Sequence, residues 1–363
     1  MLKRRDFLAG AGAGAIAGSG AAKAARAAPA VSSGHFEWKM LTAWPKNFPG
    51  AGTGAQRIAD RIETMSDGRL KIRLFAAGEL VPAFELFDAV REGNAECGHS
   101  ASYYWLNKHK ATAFFCALPG GLTATEHNAW IYFGGGLDLW HELYGQFGLI
   151  AFPAGGTGVQ MGGWFRKEIN SLADMKGLKM RMPGLAAEVL NRLGATAVNM
   201  PAGEIMPSLQ SGVIDATEWI GPWNDLALGF YKVAPYYYGP GFHEGNSAQE
   251  LMINRAAWEA LPADLQAIVR GAAEMENLGI VTEYVANNAD ALKVLVEKHK
   301  VKVGALPDDV MKESFRISAD VVAEVADIDD IGRRIYESWS KFRNDAVGYA
   351  PLADYGFSRG RAL

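Results

Sequence analysis

Cysteine is almost missing from this sequence. The two present, Cys97 and Cys116, sit among apolar or small residues, outside any CxxC and away from histidine at ligand spacing. That excludes zinc-thiolate and redox-relay chemistry as the organising principle; a disulfide and two buried thiols both stay open. Catalytic fingerprints are lacking as well: there is no HExxH, no CxxCH and no G-x-G-x-x-G, and no nucleophile stands beside an evident base. Positive charge is short. The formal net charge is −4 and no basic block follows the N-terminus, so nucleic acid is excluded as a partner. No segment after the N-terminus reaches the roughly 20 apolar residues that span a bilayer.

What is there suits a large core with many turns. Of 363 residues 49% are hydrophobic, with 42 glycines and 10 tryptophans, and a chain of this length usually folds as two domains. Residues 1–28 stand apart. Lys3-Arg4-Arg5-Asp6-Phe7-Leu8 leads into a Gly/Ala-rich run, Ala9 to Ala22, and then Ala25-Arg26-Ala27. This reads as a twin-arginine (Tat) export signal, its apolar run too short and glycine-rich for a membrane span. Its removal leaves 31 basic and 39 acidic side chains, a balance of −8. A mildly acidic exported protein is expected.

Alternating apolar residues predict strands over His35–Thr42 and Leu70–Phe75, with a helix over about 54–65 between them. A helix over 84–91 stops at Gly93 and a short strand follows over 95–100. Strand–helix–strand units with short links predict an α/β fold on parallel or mostly parallel sheets. The unit Phe87–Ser100 then recurs as Met206–Trp219: Gly93 matches Gly212, Glu96 matches Asp215, and His99-Ser100 fall where Glu218-Trp219 fall. Two similar lobes with facing strand tips are expected, joined by a glycine-rich crossing loop over 155–163. A helical stretch from Ala263 to about His299, on the order of 55 Å, is long enough to cross both.

The sharpest site candidate ends the segment Pro207–Trp223. A helix stops at Gly212, a strand begins at Val213, and its tip carries the Glu218 carboxylate and the Trp219 indole. Ligands of open α/β sheets bind beyond the carboxyl ends of the strands. Arg181 ends another strand and can grip a carboxylate through two charge-assisted hydrogen bonds. Tyr103 and Tyr104, in Ser100-Ala-Ser-Tyr-Tyr-Trp105, follow the facing tip and fit either a pocket wall or the core.

Four segments then carry a resemblance: Leu41-Thr-Ala-Trp44, Leu178-Lys-Met-Arg-Met-Pro183, Leu209-Gln-Ser-Gly-Val-Ile-Asp-Ala216 and Asn254-Arg-Ala-Ala-Trp-Glu-Ala-Leu-Pro-Ala-Asp-Leu-Gln266. In this order and spacing they make nearly all of the exported chain resemble the extracytoplasmic solute-binding subunit of a TRAP transporter, the DctP-like family. Gln160, Glu218-Trp219 and Glu244 make it most similar to the branch that binds 2-oxo or 2-hydroxy monocarboxylates together with a metal ion. The resemblance implies a two-lobed periplasmic binding protein fold, each lobe a mixed, mostly parallel sheet flanked by helices, with the long helix spanning both. It implies one lobe of 35–155 plus about 245–290 and another of 156–244 plus about 291–363.

The resemblance also implies roles. Arg181 takes the ligand carboxylate, with Gln160, Tyr103, Tyr104, Trp219 and Glu244 around the substrate. Gln160, Glu218, the Trp219 carbonyl and Glu244 hold the cation. These are hard oxygen donors, suited to Na⁺ or Ca²⁺ rather than zinc. A cation between two acids relieves their repulsion of an anionic ligand in a dehydrated cleft. The small and large TRAP membrane subunits are the implied partners, the periplasm the implied location, and a homodimer through the long helix is implied by the similar branch. The expected function is capture and delivery of a small organic acid such as pyruvate, a branched-chain 2-oxoacid or lactate. An exported enzyme, against which the missing nucleophile speaks, and a ligand sensor on the same fold are the rivals.

Overall fold

The computed structural model describes residues 34–362; the export signal read over 1–28 lies outside them. Among the described residues no helix is long and apolar enough to cross a membrane. Strands β1 (Phe36–Thr42), β2 (Leu70–Phe75), β3 (Cys97–Ser100) and β4 (Leu149–Gly156) share one sheet with β10 (Ala248–Asn254). The second sheet holds β5 (Gly163–Phe165), β6 (Lys179–Arg181), β7 (Thr196–Val198), β8 (Ala216–Thr217), β9 (Tyr236–Tyr238) and β11 (Lys302–Gly304).

The sheets repeat one another. The first has the order β2-β1-β3-β10-β4; the second, apart from its edge strand β11, has β7-β6-β8-β5-β9. β1 runs parallel to β2 and β3, as β6 does to β7 and β8. β10 is antiparallel to β3 and β4, as β5 is to β8 and β9. The mixed, mostly parallel sheets and the two lobes are as expected, and the local echo extends further than the sequence suggested. Gly93 and Gly212 have φ of 78° and 77°, a left-handed turn that glycine adopts without steric cost. Glu96 accepts the backbone N–H of Lys39 at 2.6 Å, and Asp215 accepts that of Lys179 at 3.1 Å. Each acid thereby fixes the beginning of its strand against the neighbouring one.

The strand expected from Val213 is shorter, pairing only over Ala216–Thr217. The turn after Gly212 carries Val213 into solvent, 60% exposed, before pairing begins. Strands β3, β4 and β10 are buried along nearly all their length, and β4, Leu149–Gly156, accordingly reads as a continuous apolar run rather than an alternating one. Helix Ala51–Met65 covers the first sheet with Ala55, Ile58, Ala59 and Ile62, a single face at helical spacing.

The chain crosses between sheets at 157–162, where β5 begins the second, and returns at 239–247, where β10 enters the sheet begun by β1–β4. The two crossings run together: Gln160 N–H donates to the Glu244 carbonyl at 3.1 Å and Gly241 N–H to the Gln160 carbonyl at 2.9 Å. The Asn246 side-chain oxygen accepts the N–H groups of Thr157 and Gly158. Helix Ala263–Glu297, 35 residues and about 52 Å, is the third link. Its buried Glu276 is held by Arg57 and Arg61 of helix Ala51–Met65. Farther along, Tyr284 donates to Asn224 at 2.9 Å and Asn288 accepts the Trp223 N–H at 3.1 Å, which ties it to helix Pro222–Leu228 beside the second sheet. Helix Asp330–Tyr349 lies against the helices Ala124–Phe133 and Gly136–Gly145, with Trp130 bonded to Ser338 and Arg334 to Glu142.

Candidate functional site

β6 and β8 lie side by side with Arg181 opposite Thr217, so Arg181 and Glu218 leave neighbouring strand tips. They meet directly. Arg181 Nη1 donates to Glu218 Oε1 in a short contact and to the Glu218 carbonyl at 3.2 Å, and Nε donates to the Met200 carbonyl at 3.3 Å. Arg181 is 1% exposed and Glu218 wholly buried. Burial opposes the guanidinium charge, but Glu218, joined by Tyr104, Tyr103 and Glu244, more than offsets it and holds Arg181 above its ordinary range. The Trp219 ring lies under the guanidinium, 5.0 Å from centroid to Cζ. Arg181 Nη2 and Glu218 Oε2 are buried without hydrogen-bond partners.

The crossings supply the opposite polar groups. Gln160 Nε2 donates to Glu244 Oε2 at 2.6 Å and to Thr157 Oγ1 at 3.1 Å, leaving Gln160 Oε1 buried and unpartnered. Burial pushes the Glu244 carboxyl well above the usual carboxylate range and the Glu218 charge pushes it further; Arg181 and hydrogen bonds from Ser247 and Tyr103 act the other way. One ligating atom from each of Glu218, His243 and Glu244 falls within 4.8 Å of the others.

The remaining wall comes from the turn after β3. Tyr103 and Tyr104, on the single turn Ser102–Trp105, line a cavity of about 10 Å³ with Trp44, Thr157, Gln160 and Trp219, scarcely room for one water. Burial pushes the Tyr104 hydroxyl up to about 12 and raises Tyr103 too, so both are neutral donors. All seven residues singled out from sequence, Arg181, Gln160, Tyr103, Tyr104, Glu218, Trp219 and Glu244, therefore converge on one dry cleft between the lobes.

The sequence reading set His243 aside, because it and His99 stand at no pairing that demands zinc, although the adjacent Glu244 in the same crossing was an available signal. It also set His99 level with Glu218, and there the repeat stops at the backbone. Trp44 Nε1 donates to His99 Nδ1 at 2.8 Å and His99 Nε2 lies 3.1 Å from the Ala154 carbonyl. The indole can only donate, so the ring proton sits on Nε2; burial lowers the pKa to about 4, and His99 is a neutral structural brace. Cys97 and Cys116 are buried free thiols. A G-x-S-x-G run does occur at Gly356–Gly360, but on the helix Asp354–Gly360 with Ser358 exposed. It lacks the strand–turn–helix elbow that activates such a serine.

The donor set fits a cation. Two carboxylates repel each other in low dielectric, and the orphaned Glu218 Oε2 and Gln160 Oε1 are buried acceptors, each of which costs about 1–3 kcal/mol if left unsatisfied.

Residues 42–327 match the bacterial extracellular solute-binding protein family 7. The chain is 43% identical to the monocarboxylate 2-oxoacid-binding periplasmic protein of Nostoc sp. over 315 residues, 87% of this chain and 86% of that protein. A TRAP periplasmic solute-binding protein of Pseudoalteromonas atlantica, solved with sodium and pyruvate bound, superposes with a TM-score of 0.86 at 41% identity, covering 90% of this chain and 99% of that one. A TRAP solute-binding protein of Bordetella bronchiseptica superposes with a TM-score of 0.87 at 40% identity, covering 91% of this chain and 100% of that one; it is a mixed-occupancy dimer with copurified calcium and picolinate in its site. With two repeated lobes, three interlobe links and a buried arginine beside orphaned oxygens, the chain belongs to the bacterial extracellular solute-binding protein family 7, the solute-binding proteins of TRAP transporters.

Proposed function

We propose that this protein captures a 2-oxo monocarboxylate of the pyruvate type in the interlobe cleft, together with Na⁺ or Ca²⁺, and delivers it to the membrane subunits of a TRAP transporter. The observation that carries this reading is the pairing of one buried guanidinium with a set of orphaned oxygen acceptors in the same cleft. A guanidinium suits a carboxylate, and the acceptors suit a cation. The sodium and pyruvate in the Pseudoalteromonas protein, and the calcium and picolinate in the Bordetella protein, support it.

In this reading Arg181 exchanges partners. Its unpartnered Nη2, with Nη1 released from Glu218, forms a two-pronged fork for the ligand carboxylate. Glu218, Gln160, Glu244 and the Trp219 carbonyl hold the cation, which when bound neutralises the two acids and polarises the ligand's 2-oxo oxygen. Tyr103 and Tyr104 offer neutral hydroxyls from the first lobe. Contacts made to both lobes at once favour the closed form. Among the described residues of the cleft no nucleophile stands beside a base, which supports binding over catalysis.

The same proposal places the protein in the periplasm after twin-arginine export. It assigns 35–155 and about 245–290 to the first lobe, and 156–244 and about 291–363 to the second, except that helix Asp330–Tyr349 rides on the first through its contacts at Trp130 and Glu142. Met275, Leu278 and Val285, exposed at helical spacing on the long helix, support a homodimer formed there.

A thermal-shift screen of chelator-treated protein tests it. Pyruvate and a branched-chain 2-oxoacid, each with Na⁺ or Ca²⁺, should raise Tm well beyond acetate, with lactate near pyruvate. An acetate shift equal to that of pyruvate, or no shift with any acid, would sink the proposal.

A further inference from the structure

We infer that His243 is a nitrogen donor of the cation site, and that the cleft therefore accepts a transition-series divalent ion (Co²⁺, Ni²⁺ or Zn²⁺) as well as Na⁺ or Ca²⁺. The inference rests on the cation site proposed above and extends it to a residue and an ion class that the oxygen donors alone do not suggest.

His243 is 1% exposed and neither ring nitrogen has a hydrogen-bond partner. A buried polar atom left in that state is costly. Buried His99 and His127 differ: His99 is bonded at both nitrogens, while His127 pairs with the Phe114 carbonyl at 2.9 Å and the Asn246 amide at 3.5 Å. One edge of the His243 ring is closed by the crossing itself. A Cβ built on Gly241 would lie 2.6 Å from Nδ1 and 2.5 Å from Cε1. The other edge faces the acids, with Nε2 at 3.4 Å from Glu218 Oε2 and in one cluster with Glu244.

Imidazole nitrogen adds little to the hold on a hard ion such as Na⁺ or Ca²⁺. It raises affinity for Co²⁺, Ni²⁺ and Zn²⁺, in the general first-row order for mixed nitrogen and oxygen sites. The glycine at 241 is what lets the ring lie with Nδ1 against the backbone and Nε2 toward the carboxylates. His243 and Gly241 thus act as one unit.

The test uses tag-free, chelator-treated exported protein. Calorimetry with Ni²⁺ and with Ca²⁺ gives a selectivity ratio, and Co²⁺ titration followed in the visible reports nitrogen ligation. Wild type should bind one equivalent of Ni²⁺ more tightly than Ca²⁺. In His243→Gln, and independently in Gly241→Ala, the Ni²⁺/Ca²⁺ ratio should fall at least ~10-fold and the Co²⁺ band should change. Circular dichroism identifies a variant that fails to fold, in which case the other decides. An unchanged ratio in the folded variant, or no stoichiometric Ni²⁺ binding by wild type, overturns the inference. Pyruvate titration with Ca²⁺ on the same wild-type sample separates the failures: coupled binding there with an unmoved Ni²⁺ ratio defeats only the role of His243, and absent coupling defeats the cation site itself.

Discussion

Breaking the Arg181–Glu218 pair should cost far more than replacing it. Arg181→Met leaves Glu218, fully buried and beside Glu244, without its counter-charge. Glu218→Gln leaves a 1% exposed guanidinium facing a neutral amide. Severing one partner of a buried pair costs about 3–5 kcal/mol, whereas removing both charges at similar volume is close to neutral. The double variant Arg181→Met/Glu218→Gln should therefore recover at least ~2 kcal/mol of the summed single losses, a coupling expected only for groups in contact. Against a total stability of about 5–15 kcal/mol, urea denaturation of the four proteins in metal-free buffer resolves this readily. The double variant also separates folding from binding. It should be folded yet bind pyruvate about 30-fold to a few thousand-fold more weakly, since loss of a desolvated charge partner costs about 2–5 kcal/mol. Additive single losses, or near-native pyruvate affinity in the double variant, would refute the reasoning.

Other consequences are independent of the ligand. Glu250 is buried between Trp105 Nε1 at 2.7 Å and the Tyr144 hydroxyl at 2.8 Å, and burial raises its pKa from 4.5 to about 7 against those two hydrogen bonds. The folded state holds this proton more tightly than the unfolded state, so its contribution is full below pH 4.5 and is lost as pH rises to about 7, about 3 kcal/mol in all. Glu250→Gln should flatten the urea-derived stability curve in that window by about this amount, leaving the parallel slope of Asp225, also raised to about 7 by burial; an unaltered slope counts against it. Gly163 sits at φ +123°, and a Cβ there would come within 2.6 Å of the Thr217 carbonyl. Gly163→Ala should destabilise by about 1–3 kcal/mol, and a neutral result would mean the β5–β8 pairing yields more easily than its geometry suggests.

Much of this was legible in the chain because it depends on local chemistry. Gly93 and Gly212 mark identical left-handed turns, and the acids three residues later make the same backbone contact, so the repeat could be read before any sheet was known. What followed could not. His99 and Glu218 occupy matching positions, yet the first is braced by Trp44 and the Ala154 carbonyl while the second meets Arg181; the difference lies in residues tens of positions away. The direct contact of Arg181 with Glu218 needed the adjacency of β6 and β8. Strands of two or three residues such as β5, β8 and β11 are too short for a period to register. His243 carried no pattern of its own, because its significance comes from two crossings laid side by side and a glycine two residues earlier.

The central claim is that ligand and cation bind as one unit. Titrating pyruvate calorimetrically into protein stripped of metal in sodium-free buffer, and again with Ca²⁺ or Na⁺ restored, tests it most directly. The account predicts an affinity at least ~100-fold lower in the stripped sample, a coupling of about 2.7 kcal/mol, regained on adding either ion. The same affinity with and without the cation would contradict it.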